Sequence, residues 1–218
     1  MSNVKNNAAA QITKRKLLEA AGEVFAEQGF ERATIKDITD HAGAAMAAVN
    51  YHFSDKQELY YQVLRLVHQS ALEAAALITH PDPLLSPADQ LREHIRTFLR
   101  KALDPARPAW FIPIMIREIR QPSAATERLR QEAFRPYARA LEDLIVHLVG
   151  RRISHRKAIL IVDSIISQYI FFVDHQKGLD RLHPELPPIA RRIDELADHV
   201  TDFSLAAIRG LYPSAHRS

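Results

Sequence analysis

The chain has 218 residues, 47% of them hydrophobic and 25% charged, with no cysteine. This is the composition of a globular protein with a sizeable core, and the lack of cysteine excludes disulfide staples, thiol nucleophiles and cysteine-ligated metal centres. The formal charge of +3 is small, and the first sixty residues carry seven basic against eight acidic side chains, so a nucleic-acid function there has to rest on placement rather than bulk attraction.

Residues 1–11 are polar and alanine-rich without periodicity and read as a flexible arm. Thr13 is then the expected cap of a first helix with Leu17, Leu18, Ala21, Val24 and Phe25 on one face, closed by Gly29 with Phe30 beyond it. Thr34 caps a second, short helix through Ile35, Ile38 and Ala42, and Gly43 supplies the positive φ of a turn. A third short helix turns Val49 and Phe53 inward, while the run Ala44–Ala48 leaves its outer face slim enough to approach a major groove closely. Two short helices around a glycine turn, following a longer first helix, form a helix-turn-helix head. Its boundaries are set at 12–55.

Ser54 or Asp55 opens a long fourth helix, expected from Lys56 to Thr79 through Leu59, Val63, Leu66 and Val67. His80, Pro81, Asp82 and Pro83 interrupt it, and Ser86 with Pro87 and Asp89 starts the next helix with proline at its first position and a carboxylate at the positive end of the dipole. Further helices are expected at 86–103, 109–120, 123–149, 154–177 and 188–210, with breaks at Asp104-Pro105, Gln121-Pro122, Gly150, Gly178 and His183–Pro188, and with Pro136 kinking or splitting its helix. Residues 159–173 are apolar around much of a helical circumference, and Ile189, Ile193, Leu196, Val200, Phe203 and Ile208 continue that character in the last helix. The fold class is therefore all-α: a three-helix head followed by a larger helical domain over 56–212, to which the family resemblance given below assigns ligand binding and dimerisation, with a flexible tail at 213–218. The two apolar C-terminal helices are expected to pair with their copies in a homodimer. No apolar run approaches the roughly 20 residues of a bilayer span and the N-terminus lacks the apolar centre of a signal peptide, so the expected location is cytoplasmic, without membrane contact.

Enzymatic motifs are weak. Ser154-His155-Arg156-Lys157 fits S-x-x-K, but no KTG follows and Ser154 reads as a helix cap. Asp143 with His147 and Glu195 with His199 have i, i+4 spacing, yet two ligands do not make a metal site. There is no glycine-rich phosphate loop. No catalytic residue, metal or cofactor is assigned.

KLLEAAGEVFAEQGF, TIKDITDHAG and NYHFSDKQEL, together covering about residues 12–60, resemble the TetR family of transcriptional regulators, with Gly29, Gly43, Tyr51, Phe53 and Lys56 in register. NYHF together with REIRQPSAA at 117–125 is similar to one subgroup with its own type of C-terminal domain. The resemblance implies a homodimer that occupies a palindromic double-stranded operator, acts as a repressor and is released by a small-molecule effector. It places Thr34, Tyr51, His52 and Lys56 at phosphates, joined by Lys36, and Ala45, Met46, Ala47, Ala48 and Asn50 on the helix that faces bases. A helix N-terminus at Thr34 and a cation at Lys56 suit phosphate independently. This chain departs from the family at Ala45, Ala47 and Thr39, where a polar residue, a glycine and an alanine are usual. Residues 45–48 have no side-chain hydrogen-bond donor, so base reading falls to thymine-methyl contacts, Asn50, Tyr51 and DNA shape. An architectural DNA binder without ligand control is the alternative reading.

For the effector, Trp110, Phe111, Met115, Phe134, Tyr137, Tyr169 and Phe172 supply aromatic and sulfur surface. Arg117, Glu118, Gln168 and His175 are candidate polar handles in a mainly apolar pocket. The competing reading makes these residues core and subunit interface, with Arg117 paired to an acid.

Overall fold

A computed structural model describes residues 2–150 and 153–213. In chain order the α-helices are α1 (Ser2–Gln28), α2 (Ile35–Ala42), α3 (Met46–Phe53), α4 (Lys56–Val67), α5 (Gln69–Thr79), α6 (Pro87–Ala102), α7 (Phe111–Arg120), α8 (Ala124–Leu129), α9 (Arg135–Val149), α10 (His155–Asp174), α11 (Gln176–Leu182) and α12 (Ile193–Leu211), and no strand occurs among the described residues. The all-α expectation holds.

Most expected starts are capped by the residues that announced them. Thr34 and Asp37 form a capping box on α2, and Ser86, Ser123 and Ser154 each accept a backbone N–H at the start of α6, α8 and α10. Gly43 and Gly150 close α2 and α9 in the left-handed conformation.

Other boundaries move. The first helix does not begin at Thr13: α1 runs back through the expected arm to Ser2, since Ala8–Ala10 are strong helix formers, and Thr13 Oγ1 bonds to the Ala9 carbonyl inside it. The long helix expected over 56–79 is two, broken at His68, whose N–H still reaches the Leu64 carbonyl. The expected 123–149 helix becomes α8, a π-helical stretch Arg130–Phe134 and α9. Pro136 explains the change, because its ring cannot sit over the carbonyl four residues back and it has no N–H to give. Gly178 is not a break; it lies inside α11, and the chain turns instead at His175. After His183–Pro188 a 3₁₀ turn at Ile189–Arg191 precedes α12, which starts at Ile193. The expected tail, from Ser214 on, lies outside the described residues.

The chain divides into two compact units. One comprises residues up to Gln69 with Pro108–Gln131, and the other Ser70–Arg107 with the residues from Glu132 on. In the first unit, Leu17, Ala21, Phe25, Ile38, Val49, Phe53, Leu59 and Leu64 make the core of the head, and α7 adds Trp110 and Ile114. The Trp110 ring lies so close to α1 that a Cβ at Gly22 would come within 2.3 Å of it, and its Nε1 donates to Glu19 at 3.0 Å. The second unit buries Leu91, Ile95, Leu99, Leu141, Ile145, Val162, Ile165, Leu196, Val200 and Ile208 among α6, α9, α10 and α12.

Candidate nucleic-acid interface and effector region

The head positions its outer face by burying the opposite one. Val49 and Phe53 are fully packed, which leaves Ala45, Met46, Ala47, Asn50 and Tyr51 exposed on α3; Met46 is 57% and Tyr51 78% accessible. Ala45 is the N-terminal cap of α3 and makes no side-chain bond, as its alanine side chain requires, so the first amides of α3 remain open. Ala48 and His52 are half-buried, His52 with its ring edge-on to Tyr51 at 4.9 Å. Thr34 and Lys36 are exposed at the start of α2; Thr34 Oγ1 bonds Asp37 at 2.7 Å and Lys36 Nζ pairs with Asp40 at 2.8 Å. That hydrogen bond to Asp40, with its charge, raises the Lys36 pKa, so the ammonium stays charged.

Lys56 stands apart from this set. Its Nζ donates to the carbonyls of Phe30 at 2.8 Å, Ala33 at 3.0 Å and Glu31 at 3.5 Å, and lies 4.5 Å from the centre of the Phe30 ring. Between α3 and α4, Ser54 has φ 61° and ψ −52°, and the Asp55 N–H bonds the Phe53 carbonyl across it at 2.7 Å. This is a positive-φ γ-turn, rare and strained for a residue with a Cβ.

The eleven residues proposed for an effector divide between the units. Trp110, Phe111, Met115, Arg117 and Glu118 are in the first. There Trp110 is core, and Glu118, 5% exposed, accepts from the Tyr60 hydroxyl at 2.5 Å, the Ser123 N–H at 2.8 Å and Thr126 Oγ1 at 2.5 Å. Burial, then that bond to Glu118, pushes the Tyr60 pKa well up. Arg117 is not paired to an acid; its Nη1 and Nη2 donate to the carbonyls of Phe25 at 2.5 Å and Ala26 at 3.1 Å, at the end of α1. Phe111 and Met115 are half-buried.

Phe134, Tyr137, Gln168, Tyr169, Phe172 and His175 are in the second unit. Tyr137 and Tyr169 come together on a residue that sequence reasoning missed. His94 is 1% exposed; its Nδ1 lies 3.0 Å from the Ala74 carbonyl and its Nε2 lies 2.8 Å from the Tyr137 hydroxyl and 3.4 Å from that of Tyr169. Burial holds the imidazole neutral with its pKa lowered to about 4, so Nδ1 carries the proton toward the carbonyl and Nε2 accepts from tyrosine. Burial likewise raises both phenols. The available signal was a lone histidine on the apolar stripe Leu91, Ile95 and Phe98 of α6. Gln168 reaches Ser204 Oγ at 3.3 Å in a groove of about 380 Å³ between α10 and α12. Phe172 lines a separate cavity of about 350 Å³ with Leu179, Ile189 and Leu196. His175 stacks on Phe171 at 4.4 Å, and Phe134 is half-buried in the π-helical stretch. Glu195 binds Arg192, at 2.6 Å, and among the described residues no three metal-ligating side chains gather.

Comparison with known proteins adds a frame to this geometry. Residues 17–63 match the family described as bacterial regulatory proteins, tetR family, and residues 87–208 match the C-terminal domain of the HTH-type transcriptional dual regulator CecR. Among curated relatives, the HTH-type transcriptional repressor BepR of Brucella suis biovar 1 is 31% identical over 83 residues, 37% of this chain and 40% of BepR. The repressor KstR2 of Mycobacterium tuberculosis is 39% identical over 59 residues, 26% of this chain and 30% of KstR2. These matches span two fifths or less of each relative's length. Among solved structures, a TetR-like transcriptional regulator from Rhodococcus sp. RHA1 is similar at TM-score 0.60 and 23% identity, covering 93% of this chain and 97% of the other. The SmeT–triclosan complex is similar at TM-score 0.62 and 21% identity, covering 89% and 90%. At these identities the structural likeness speaks for the fold.

Proposed function

The chain belongs to the TetR family, in the group with a CecR-type C-terminal domain, and from that premise we propose that it is a DNA-binding transcriptional regulator, a repressor released by a small molecule. The observation that carries the DNA reading is the outer face of α3: an open helix N-terminus at Ala45, small side chains at Ala47 and Ala48, and Met46, Asn50 and Tyr51 standing out from a head whose other face is fully packed. Small residues permit close groove approach, Met46 and the alanines suit thymine methyls, and Asn50 is the side chain able to pair bidentately with an adenine edge. Thr34 and Lys36 at the start of α2 and Tyr51 and His52 at the end of α3 stand at positions suited to phosphate. A footprint on the DNA flanking the gene for this chain, repeated across salt concentrations, tests the reading. A palindromic site with half-sites about one helical turn apart supports it, whereas uniform protection that vanishes with modest salt favours the architectural alternative.

A dimer fits two half-sites. The face shared by α10 and α12 exposes Leu160, Phe203 and Leu211 along an apolar groove, the kind of surface that a partner copy covers. For the effector, Trp110, Arg117 and Glu118 already have fixed partners in the first unit, so the reading rests on the second. There Tyr137, Tyr169 and His94 set a hydrogen-bonded polar point inside a mainly apolar helical core, the arrangement by which a pocket orients a mainly apolar molecule. Thermal-shift screening followed by release of the footprinted duplex tests this, with Tyr169→Phe expected to weaken both responses to a hit compound. No single helix among the described residues is long and apolar enough to cross a membrane.

A further inference from the structure

Helix α1 ends in a segment that two cations grip from different helices. The last carbonyls of any helix lack intrahelical donors and sit at the negative end of the macrodipole, so a cation there is favoured. In this chain the cations are not on α1. Arg117 of α7 donates to the Phe25 and Ala26 carbonyls, and Lys56 of α4 donates to those of Phe30, Glu31 and Ala33. Gly29 lies between the two grips with φ 80°, and a Cβ there would stand 3.1 Å from the Arg117 guanidinium, so the turn is shaped for that approach. The Phe25 and Phe30 rings pack on Tyr60 at 4.7 Å and 4.9 Å, filling the space inside the gripped segment. The segment ends at Ala33, and the next residue, Thr34, caps α2.

The donor inventory decides what Lys56 is doing. An ammonium has three N–H donors, and three carbonyls surround this one, with an aromatic face completing its shell. A phosphate contact would require it to give up a carbonyl. The guanidinium of Arg117 is likewise spent on backbone rather than aimed at a ligand.

We propose that Lys56 and Arg117 are positioning residues of the DNA-binding head, clamping Phe25–Ala33 between α4 and α7 and so fixing the start of α2, and that neither touches phosphate or effector. This deepens the regulator reading above and rests on it for its DNA part.

The test compares wild type with Lys56→Gln, Lys56→Arg and Arg117→Gln, using a duplex selected by the wild-type protein from a random-sequence pool. Melting without DNA is recorded first, and affinity is then measured between 50 and 200 mM KCl at a temperature where each variant is folded by circular dichroism. The proposal expects both glutamine variants to melt at least about 3 °C lower. They bind about tenfold more weakly, but the slope of log Kd against log salt stays at the wild-type value. Lys56→Arg keeps the charge yet does not restore melting, because a planar fork cannot present three donors from one nitrogen. A slope shallower by about 0.9 per subunit in Lys56→Gln would identify a phosphate contact and overturn the proposal, as would unchanged melting in either glutamine variant. Should wild type select no duplex, the regulator reading fails, while the melting comparison still decides whether the clamp exists.

Discussion

Ser54 is the one residue other than glycine with positive φ among those described, and it lies at the joint between the exposed helix and α4. An L side chain in that region costs on the order of 1–2 kcal/mol, only partly offset by its own bond from Oγ to the Phe53 carbonyl at 2.5 Å. Ser54→Gly removes the strain but adds unfolded-state entropy and loses the hydroxyl bond, so a net gain of at most about 1 kcal/mol is expected in urea unfolding; a loss would show that the hydroxyl outweighs the strain. The reverse case is Gly22, where even one methyl meets the Trp110 ring at 2.3 Å, and Gly22→Ala should cost about 1–3 kcal/mol by overpacking. His94 adds a pH dependence. Its pKa is about 4 when folded, because burial disfavours the imidazolium, against 6.5 for an ordinary histidine. The unfolded chain therefore takes up a proton first as pH falls, and stability declines from about pH 6.5 to about 4 by roughly 3 kcal/mol. His68, lowered to about 4 by burial, acts in the same direction. Urea titrations at pH 7 and 4.5 should reveal the decline, and His94→Gln should shrink it.

At the scale of elements, α6 and α12 are joined by both charge and apolar packing, and magnitudes separate the two. Arg92 reaches Asp198 at 3.1 Å and Asp202 at 2.9 Å, Arg96 reaches Asp194 at 3.0 Å, and Arg100 reaches Asp194 at 3.1 Å, an antiparallel ladder along one edge. The aspartates are more than half exposed, so each pair is worth under about 1 kcal/mol and is screened by salt. Ile95, fully buried beneath the ladder, should cost about 2–5 kcal/mol on truncation to alanine. Arg96→Ala is thus expected to be several-fold milder than Ile95→Ala in chemical unfolding, with the ladder setting alignment more than stability. The same division explains which elements were legible in the sequence. Caps and turns act through near neighbours, so Thr34, Ser86, Ser154, Gly43 and Gly150 could be read directly, and with them the head. The break at His68 and the turn at His175 involve no proline or glycine, so nothing local announced them. The π-helical stretch was half legible, since Pro136 marked a disturbance without saying which form it would take. Among candidate site residues, α3 was readable because its exposed face follows from its buried one. Lys56, Arg117 and Trp110 were not, since their partners Phe30, Phe25 and Gly22 lie 26, 92 and 88 positions away.

For the whole molecule the open question is how a head with no excess of basic residues holds DNA. Seven basic against eight acidic side chains in the first sixty residues give little long-range attraction, and a single eight-residue helix offers few base contacts. In the proposed dimer two heads change the arithmetic, because the second binds at the high effective concentration set by the first and can raise affinity by about 10²–10⁴ without new contacts. The surface proposed for that assembly is the face of α10 and α12, where Leu160 is 58%, Phe203 59% and Leu211 68% exposed. Side chains of this size in one apolar groove are costly to leave in water, and a symmetric partner would cover them. Phe203→Glu puts a charge into that face while leaving Leu205 and Ile208 in the intramolecular core. The expected outcome is a monomer in sedimentation, with unchanged helical content and operator affinity at least about 100-fold weaker. A Phe203→Glu protein that still sediments as a dimer and binds as before would place the subunit interface elsewhere.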